Sequence, residues 1–249
     1  MNDALVTLLG WEATILDKDP CVFDRWRWLK RHLRPGPLRT LDAGSGLGAF
    51  TMYAARIGNE AVGISSSESN NRRAEARARA LGISNIEFIT ADLRDLAELR
   101  GRLGEFDQVI CLETIEHVRD DEKLVGDLTA LLRPGGQLLL TTPFKHYRHL
   151  LGDKLSTAED GKHVRWGYTH EEMRRLFSIA GLEVVAEEYV SGFVSQQITN
   201  LIRLVARVNG KLAWIVTFPL RPLQVLDKAL TGILGYPHHC IAVVGIKPT

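Results

Sequence analysis

Three stretches of this chain place reactive residue types at spacings that suit chemistry. The first is Leu41-Asp42-Ala43-Gly44-Ser45-Gly46-Leu47-Gly48, an acidic residue followed by alternating glycines. Glycines let a backbone approach a ligand closely and take positive φ. A helix opening just beyond them offers free N–H groups. Gly44-x-Gly46-x-x-Ala49 satisfies the dinucleotide fingerprint. That fingerprint also asks for an acidic residue about 20 positions on, to hold a ribose, and Ser65 stands there instead. Asp42 points to a different ligand, because a carboxylate beside the turn repels pyrophosphate and attracts an ammonium group. The second stretch is Glu113-x-x-Glu116-His117. His117 is the candidate base, since an imidazole titrates near neutrality, and Glu113 is an orienting carboxylate. The third is His163-Val164-Arg165-Trp166-Gly167-Tyr168-Thr169. His163, Arg165 and Tyr168 could contact an acceptor, Arg165 favouring a phosphate or carboxylate; the alternative is that Arg165 and Tyr168 fix a loop. His146 adds a further polar aromatic. His238, His239 and Cys240 are consecutive and lack partners, so no metal site is expected.

These residues need a scaffold, and the pattern around them supplies one. Cys21 to Leu33 reads as an amphipathic helix with Phe23, Trp26 and Leu29 on one face, stopped by Pro35-Gly36-Pro37. Strands are expected over 38–43, 61–65, 86–90, 106–112, 137–142, 182–190 and 240–246. Helices are expected over 46–57, from Ser65 to Leu81, over 121–132 and over 170–180. Ser65 and Glu68 have capping-box spacing, and Thr169 is the expected N-cap of the last of these helices. Strands alternating with helices imply a parallel sheet covered on both faces, with ligands at the carboxyl ends of the strands.

Composition sets bounds on function. The chain has 249 residues, 45% apolar and 24% charged, enough for one domain with a sizeable core. Thirty-one basic against 30 acidic side chains leave +1, which argues against a nucleic-acid partner over the whole surface. Three scattered cysteines, Cys21, Cys111 and Cys240, fit a reducing compartment better than a disulfide framework. No signal peptide is read at the N-terminus and no run reaches membrane-spanning length. A cytoplasmic protein is expected, with membrane association open.

From about Leu38 to Ala186, with Cys240 to Lys247 as a last strand, the chain resembles a class I S-adenosylmethionine-dependent methyltransferase. Leu41 to Gly48 resembles that family's first motif. Thr90-Ala91-Asp92-Leu93 resembles its segment after strand three, where the Asp contacts the adenine amino group and the next residue packs on the ring. Phe106 to Cys111 resembles its fourth strand, and Leu131 to Leu138 its turn into strand five. The resemblance implies S-adenosylmethionine as cofactor, held by Asp42, Gly44, Ser45, Gly46, Asp92, Leu93 and the backbone of Cys111. Most members carry an acidic residue at the end of strand two. Here Ser65-Ser66-Ser67-Glu68-Ser69-Asn70 is similar to the variant in cyclopropane-fatty-acid synthases and phosphoethanolamine methyltransferases. That makes Ser65 and Asn70 ribose candidates, with Ser66 beside them; helix capping by the serines is a compatible alternative.

Glu113-x-x-Glu116-His117 resembles small-molecule O- and N-methyltransferases. Cys111 to Thr114 lacks the Asp/Asn-Pro-Pro-aromatic tetrapeptide of enzymes that methylate nucleic-acid amino groups. The His163-to-Thr169 run resembles a subgroup associated with sugar, lipid and natural-product pathways. The implied fold is a Rossmann-like α/β domain. It has a seven-stranded, mostly parallel sheet with an antiparallel last strand, helices on both faces, and a helical insertion between strands six and seven. The expected organisation is an N-terminal helical segment (1–37), a cofactor-binding core (38–190), the insertion (191–239) and a last strand (240–249). The expected reaction is methyl transfer to an oxygen or nitrogen of a small-molecule, sugar or lipid-like acceptor. Rival readings are an NAD(P)-dependent oxidoreductase and a non-catalytic membrane-peripheral protein. Ser191 to His239 is apolar, with five basic residues against one acidic. It is expected to cap the acceptor site, with a homodimer interface or peripheral membrane contact as alternatives.

Overall fold

The sheet is built from runs that are apolar on both faces. Along strand β4 (Phe106–Leu112), Val109 and Cys111 face one core while Ile110 and Leu112 face the other. Strand β5 (Leu132–Pro143) repeats this, with Leu138 and Leu140 on one side and Leu139 on the other. Such two-sided burial belongs to a parallel sheet covered by helices on both faces. The computed structural model describes residues 6, 10–16, 19–148 and 154–249.

In chain order the elements are α1 (Ala13–Leu16), α2 (Pro20–His32), β1 (Arg39–Ala43), α3 (Ala49–Arg56), β2 (Glu60–Ser65), α4 (Glu68–Ala80), β3 (Ile86–Thr90), α5 (Leu96–Leu103), β4, α6 (Asp121–Ala130), β5, α7 (His170–Ile179), β6 (Glu183–Val190), α8 (Phe193–Ala206), α9 (Gly210–Thr217), α10 (Asp227–Leu234) and β7 (Cys240–Ile246). The seven strands are ordered β3-β2-β1-β4-β5-β7-β6, and β7 runs antiparallel to both its neighbours. The fold is the Rossmann-like one expected. The order reverses between β1 and β4, and this switch point places the functional site at their carboxyl ends.

Several local expectations shift. Helix α3 starts at Ala49 rather than at 46, because Gly46 and Gly48 hold left-handed φ values of 53° and 74° and prolong the turn. The cap of α4 is Ser67, not Ser65. Its hydroxyl accepts from the Asn70 N–H at 3.3 Å, while Ser65 Oγ accepts from the Ser67 N–H at 3.2 Å. Strand β5 begins at Leu132, five residues early, because Leu132 already pairs with Phe106 of β4. Helix α5 is an element the periodicity did not reveal. It buries only Leu96 and Leu103, and Gly101 interrupts its pattern. In α2 the buried stripe is Cys21, Arg25, Trp28 and Leu29, with Phe23 and Trp26 only partly covered. The α7 cap is as read: Thr169 and Glu172 form a complete capping box. The expected N-terminal helical segment falls partly outside the described residues. The insertion between β6 and β7 is helical as expected, comprising α8, α9, the 3₁₀ run Phe218–Leu226 and α10.

Candidate active site

The glycine turn after β1 is shaped by what cannot fit there. Gly44 has φ 92°, and a Cβ on it would meet Thr114 Oγ1 at 2.2 Å, so any side chain would collide. Gly46 instead faces open space. The N–H groups of Gly44 and Ser45 both donate to the Ile64 carbonyl, at 3.0 and 2.9 Å, which ties the turn to β2. Ser45 Oγ is buried without a hydrogen-bond partner among the described residues. An orphaned hydroxyl beside an open glycine cradle fits a polar ligand lying across this turn. Asp42 is buried behind it and accepts from Thr51 Oγ1 at 2.7 Å. Burial pushes its pKa up to about 6, against the lowering effect of Thr51.

A cavity of about 450 Å³ opens from this turn, within the range of small-molecule sites. Gly44, Gly46, Ser65, Ser66, Asn70, Asp92, Leu93, Glu113 and His117 all line it. Nine positions singled out in the sequence, from four separate loops, thus meet on one space. Asp42, Ser45 and Cys111 lie outside its lining; Cys111 is fully buried, with its thiol pKa raised by that burial.

Asp92 caps the turn Leu93–Asp95 and is paired with Arg94, whose hydrogen bonds hold its carboxyl below the usual range. Arg94 also donates to Glu159 at 3.1 Å. Arg94 and Glu159 line the cavity and were not anticipated from sequence. Asn71 was missed too. Its amide donates to Thr90 Oγ1 at 2.9 Å and so ties the ends of β2 and β3 together.

Of the acid–base groups, His117 lines the cavity, and Glu116 and His163 stand behind it. Glu116 is fully buried, and its Oε2 accepts from Thr142 Oγ1 at 3.3 Å. Its Oε1 has no hydrogen-bond partner among the described residues and lies 3.9 Å from Nε2 of both His117 and His163. The two imidazoles meet edge to face with centroids 4.8 Å apart. Burial, then the Glu113 charge, pushes the Glu116 carboxyl well above its ordinary pKa. The sequence brought Glu116 and His117 together; His163 arrives from a distant loop, tied down where the Val164 N–H donates to the Glu116 carbonyl at 2.9 Å. The same three side chains offer ligand atoms within 4.8 Å of one another, a donor set that could also take a divalent ion.

Glu113 sits in a left-handed conformation, φ 51°, unusual for a non-glycine residue. Its N–H donates to the Thr141 carbonyl at 2.9 Å, and its carboxylate meets buried Arg25 of α2 at 3.3 Å. No periodicity rule anticipates a buried arginine at that helix position; a charge on an otherwise apolar stripe was the available signal. Cys240 Sγ lies 3.6 Å from the same carboxylate, and His239, stacked on Tyr147 at 4.7 Å, lies beside it.

Arg165 and Tyr168 do not line the cavity. Arg165 bonds Asp121, Tyr168 and the carbonyls of Val118 and Arg119. Tyr168 is buried and donates to Asp121 at 2.7 Å. Both therefore clamp the 154–169 loop onto α6. His146 is exposed, packed edge to face on Phe144 at 5.3 Å. A larger cavity of about 870 Å³ lies between α2, the end of β6 and the insertion. It shares no lining residue with the cavity of Glu113 and His117, so its size does not mark the chemistry.

A family profile described as a methyltransferase domain matches residues 22–187. The ubiquinone biosynthesis O-methyltransferase of Methylococcus capsulatus (strain Bath) is 32% identical over 118 residues, 47% of this chain and 48% of that protein. The Rhizobium etli protein of the same name is 37% identical over 106 residues, 42% of this chain and 41% of its own. The matches thus span about half the length of these relatives or less. Among solved structures, the [4+2]-cyclase SpnF aligns with TM-score 0.61 at 21% identity, covering 91% of this chain and 82% of its own. Haemonchus contortus phosphoethanolamine N-methyltransferase 2, bound to S-adenosyl-L-methionine, aligns with TM-score 0.59 at 16% identity, covering 91% and 52%. At these identities the structural likeness speaks for the fold.

Proposed function

Because this chain belongs to the class I S-adenosylmethionine-dependent methyltransferase family, we propose that it methylates an oxygen of a small-molecule, sugar or lipid-like acceptor. The oxidoreductase reading falls away with that membership. One observation carries the proposal: the glycine turn and His117 line one cavity, with Glu116 and His163 beside His117. The half-length matches to ubiquinone biosynthesis O-methyltransferases support oxygen over nitrogen.

The cofactor residues we assign are Gly44, Ser45, Gly46, Ser65, Ser66, Asn70, Asp92 and Leu93, with Asp42 and the Cys111 backbone behind them. When bound, S-adenosylmethionine supplies an electrophilic methyl group for in-line displacement. The protein's part is to position the acceptor and remove its proton. A hydroxyl needs a base, and His117 faces the cavity in the right place. Glu116 and His163 give the proton a path away from it. Arg25 holds the Glu113 carboxylate at the neighbouring wall. Of the acceptor residues suggested by sequence, His163 also lies outside the cavity lining, and we keep it because its ring packs on that of His117 at 4.8 Å. Arg165 and Tyr168 act on the loop that carries it, and His146 has no contact with the cavity. Ser191–His239 borders this end through His239, next to Cys240 and Glu113, and we assign it as one wall of the acceptor approach.

The test is His117→Ala assayed with a panel of phenolic and aliphatic hydroxyl acceptors. Turnover should fall about 10²–10⁴-fold while S-adenosylhomocysteine affinity by calorimetry stays near wild type. Unchanged turnover would remove His117 as base. A relay also predicts that a chelator leaves activity intact; loss of activity restored by a divalent ion would assign the three side chains to metal binding.

A further inference from the structure

Beyond α8, which buries Val194 and Ile198, the insertion is folded inside out. Helix α9 buries Ala213 and Thr217, four residues apart on one stripe, and exposes Leu212, Trp214, Ile215 and Val216. The 3₁₀ run buries Gln224 and leaves Val225 80% exposed. Helix α10 buries Asp227 and Thr231 and leaves Ile233 80% exposed. A helix on an ordinary domain surface does the reverse. The orientation is held by a satisfied polar seam. Asp227 accepts from the N–H groups of Gly192, Val194 and Ser195, the last two at 2.6 and 3.1 Å. Thr231 Oγ1 accepts from the Phe193 N–H at 2.8 Å and donates to the Asp227 carbonyl at 2.6 Å. Gln224 donates to Asp24 at 3.1 Å and to the Pro20 carbonyl at 3.2 Å. Turning the apolar residues inward would break every one of these bonds, so the segment places its large apolar side chains outward.

The charge on this segment has one sign. Arg203, Arg207, Lys211 and Lys228 are exposed, whereas the only acidic residue of 191–239, Asp227, is buried in the seam. Trp214 stacks on Phe218 with centroids 4.6 Å apart, and the Arg221 guanidinium lies over the Phe218 ring at 5.8 Å. Aromatic and aliphatic groups rimmed by cations match the chemistry of a bilayer interface carrying anionic headgroups. A second copy of this chain is a poorer match, since a two-fold contact would set the basic rim against itself. No helix among the described residues is long and apolar enough to cross a membrane.

We propose that residues 191–239 form an in-plane docking face for an anionic lipid bilayer, with the apolar side chains of α9, the 3₁₀ run and α10 entering the interface and the basic residues meeting headgroups. The inference stands on the burial and charge of this segment and does not depend on the methyl-transfer reading.

The experiment is co-sedimentation of the full chain with vesicles of neutral phosphatidylcholine, and with vesicles in which about a third of the lipid is anionic phosphatidylglycerol, at low and high salt. Partitioning should be about tenfold or more stronger on the anionic vesicles and fall with salt. The double variant Ile215→Asp/Val225→Asp should lose about tenfold or more, and Arg207→Glu/Lys211→Glu about threefold or more, with thermal melting and S-adenosylhomocysteine binding unchanged. Equal partitioning on neutral and anionic vesicles, or none on either, overturns the proposal. So does a concentration-dependent dimer, seen by sedimentation velocity, that the Asp double variant abolishes while vesicle binding is absent.

Discussion

The sheet and the insertion use the same residue types in opposite directions. Along β4 and β5 every large apolar side chain turns into one of two cores, and the exposed positions are Arg133 and Pro134 at the start of β5. In α9 and α10 the small and polar side chains turn in, and Trp214, Ile215 and Ile233 turn out. The first region is stabilised by burial, and what it builds is a rigid edge that places the glycine turn and Glu113. The second is held by a short seam of hydrogen bonds, and its large apolar side chains are exposed among the described residues. Apolar content alone therefore says how much surface a segment must cover, and not from which side.

The largest expected effect lies in the sheet. Ile110→Ala should cost about 2–5 kcal/mol in urea denaturation, because a cavity in a covered sheet cannot collapse. A cost near that of a surface change would erase the contrast between the regions.

The buried carboxylate beside the glycine turn sharpens it from the functional side. Asp42 has a folded pKa of about 6, above its ordinary 3.8. The folded state thus holds its proton over a window where the unfolded state has lost it. Stability from this group is present below about pH 4 and is lost as pH rises through about 6. Asp42→Asn should accordingly be about 1–3 kcal/mol more stable than wild type at pH 7, with the gain shrinking toward pH 4, yet bind S-adenosylhomocysteine more weakly. A variant that is less stable at pH 7 would show that the charge is compensated in the fold.

In the insertion the expected break point is polar. Asp227→Ala removes the acceptor of three N–H groups at the start of α8 and should cost about 1–3 kcal/mol. The loss should register as faster proteolysis within 191–239, while cofactor binding by calorimetry persists. Equal protection in both proteins would mean that apolar packing holds the insertion after all. The smallest effect is expected at Ile215, 62% exposed. Ile215→Ser should change stability by no more than about 0.5 kcal/mol, against the several expected at Ile110.

Much of the frame was readable without coordinates because its signals are local. A strand such as Ile86–Thr90, the Thr169 cap and the left-handed glycines of 44–48 depend on neighbours within a few residues, through side-chain period, capping geometry and allowed φ. Helix α5 escaped notice since only two of its side chains are buried and a glycine interrupts it. The start of α3 was misplaced because a glycine turn and a first helical turn share a composition.

Sequence alone determined the family's motifs, the order of the strands along the chain and nine of the residues that converge on the smaller cavity. These follow from rules of spacing that hold before the chain closes on itself. Only the tertiary structure decided that His163, from a distant loop, stands 3.9 Å from Glu116, that Arg25 reaches Glu113, and that Arg165 bonds Asp121 and the Val118 and Arg119 carbonyls rather than lining the cavity. It also decided which way the insertion faces. Each of these is a contact between segments far apart in sequence, fixed by packing and by the need to pair buried polar groups, and no local pattern encodes it.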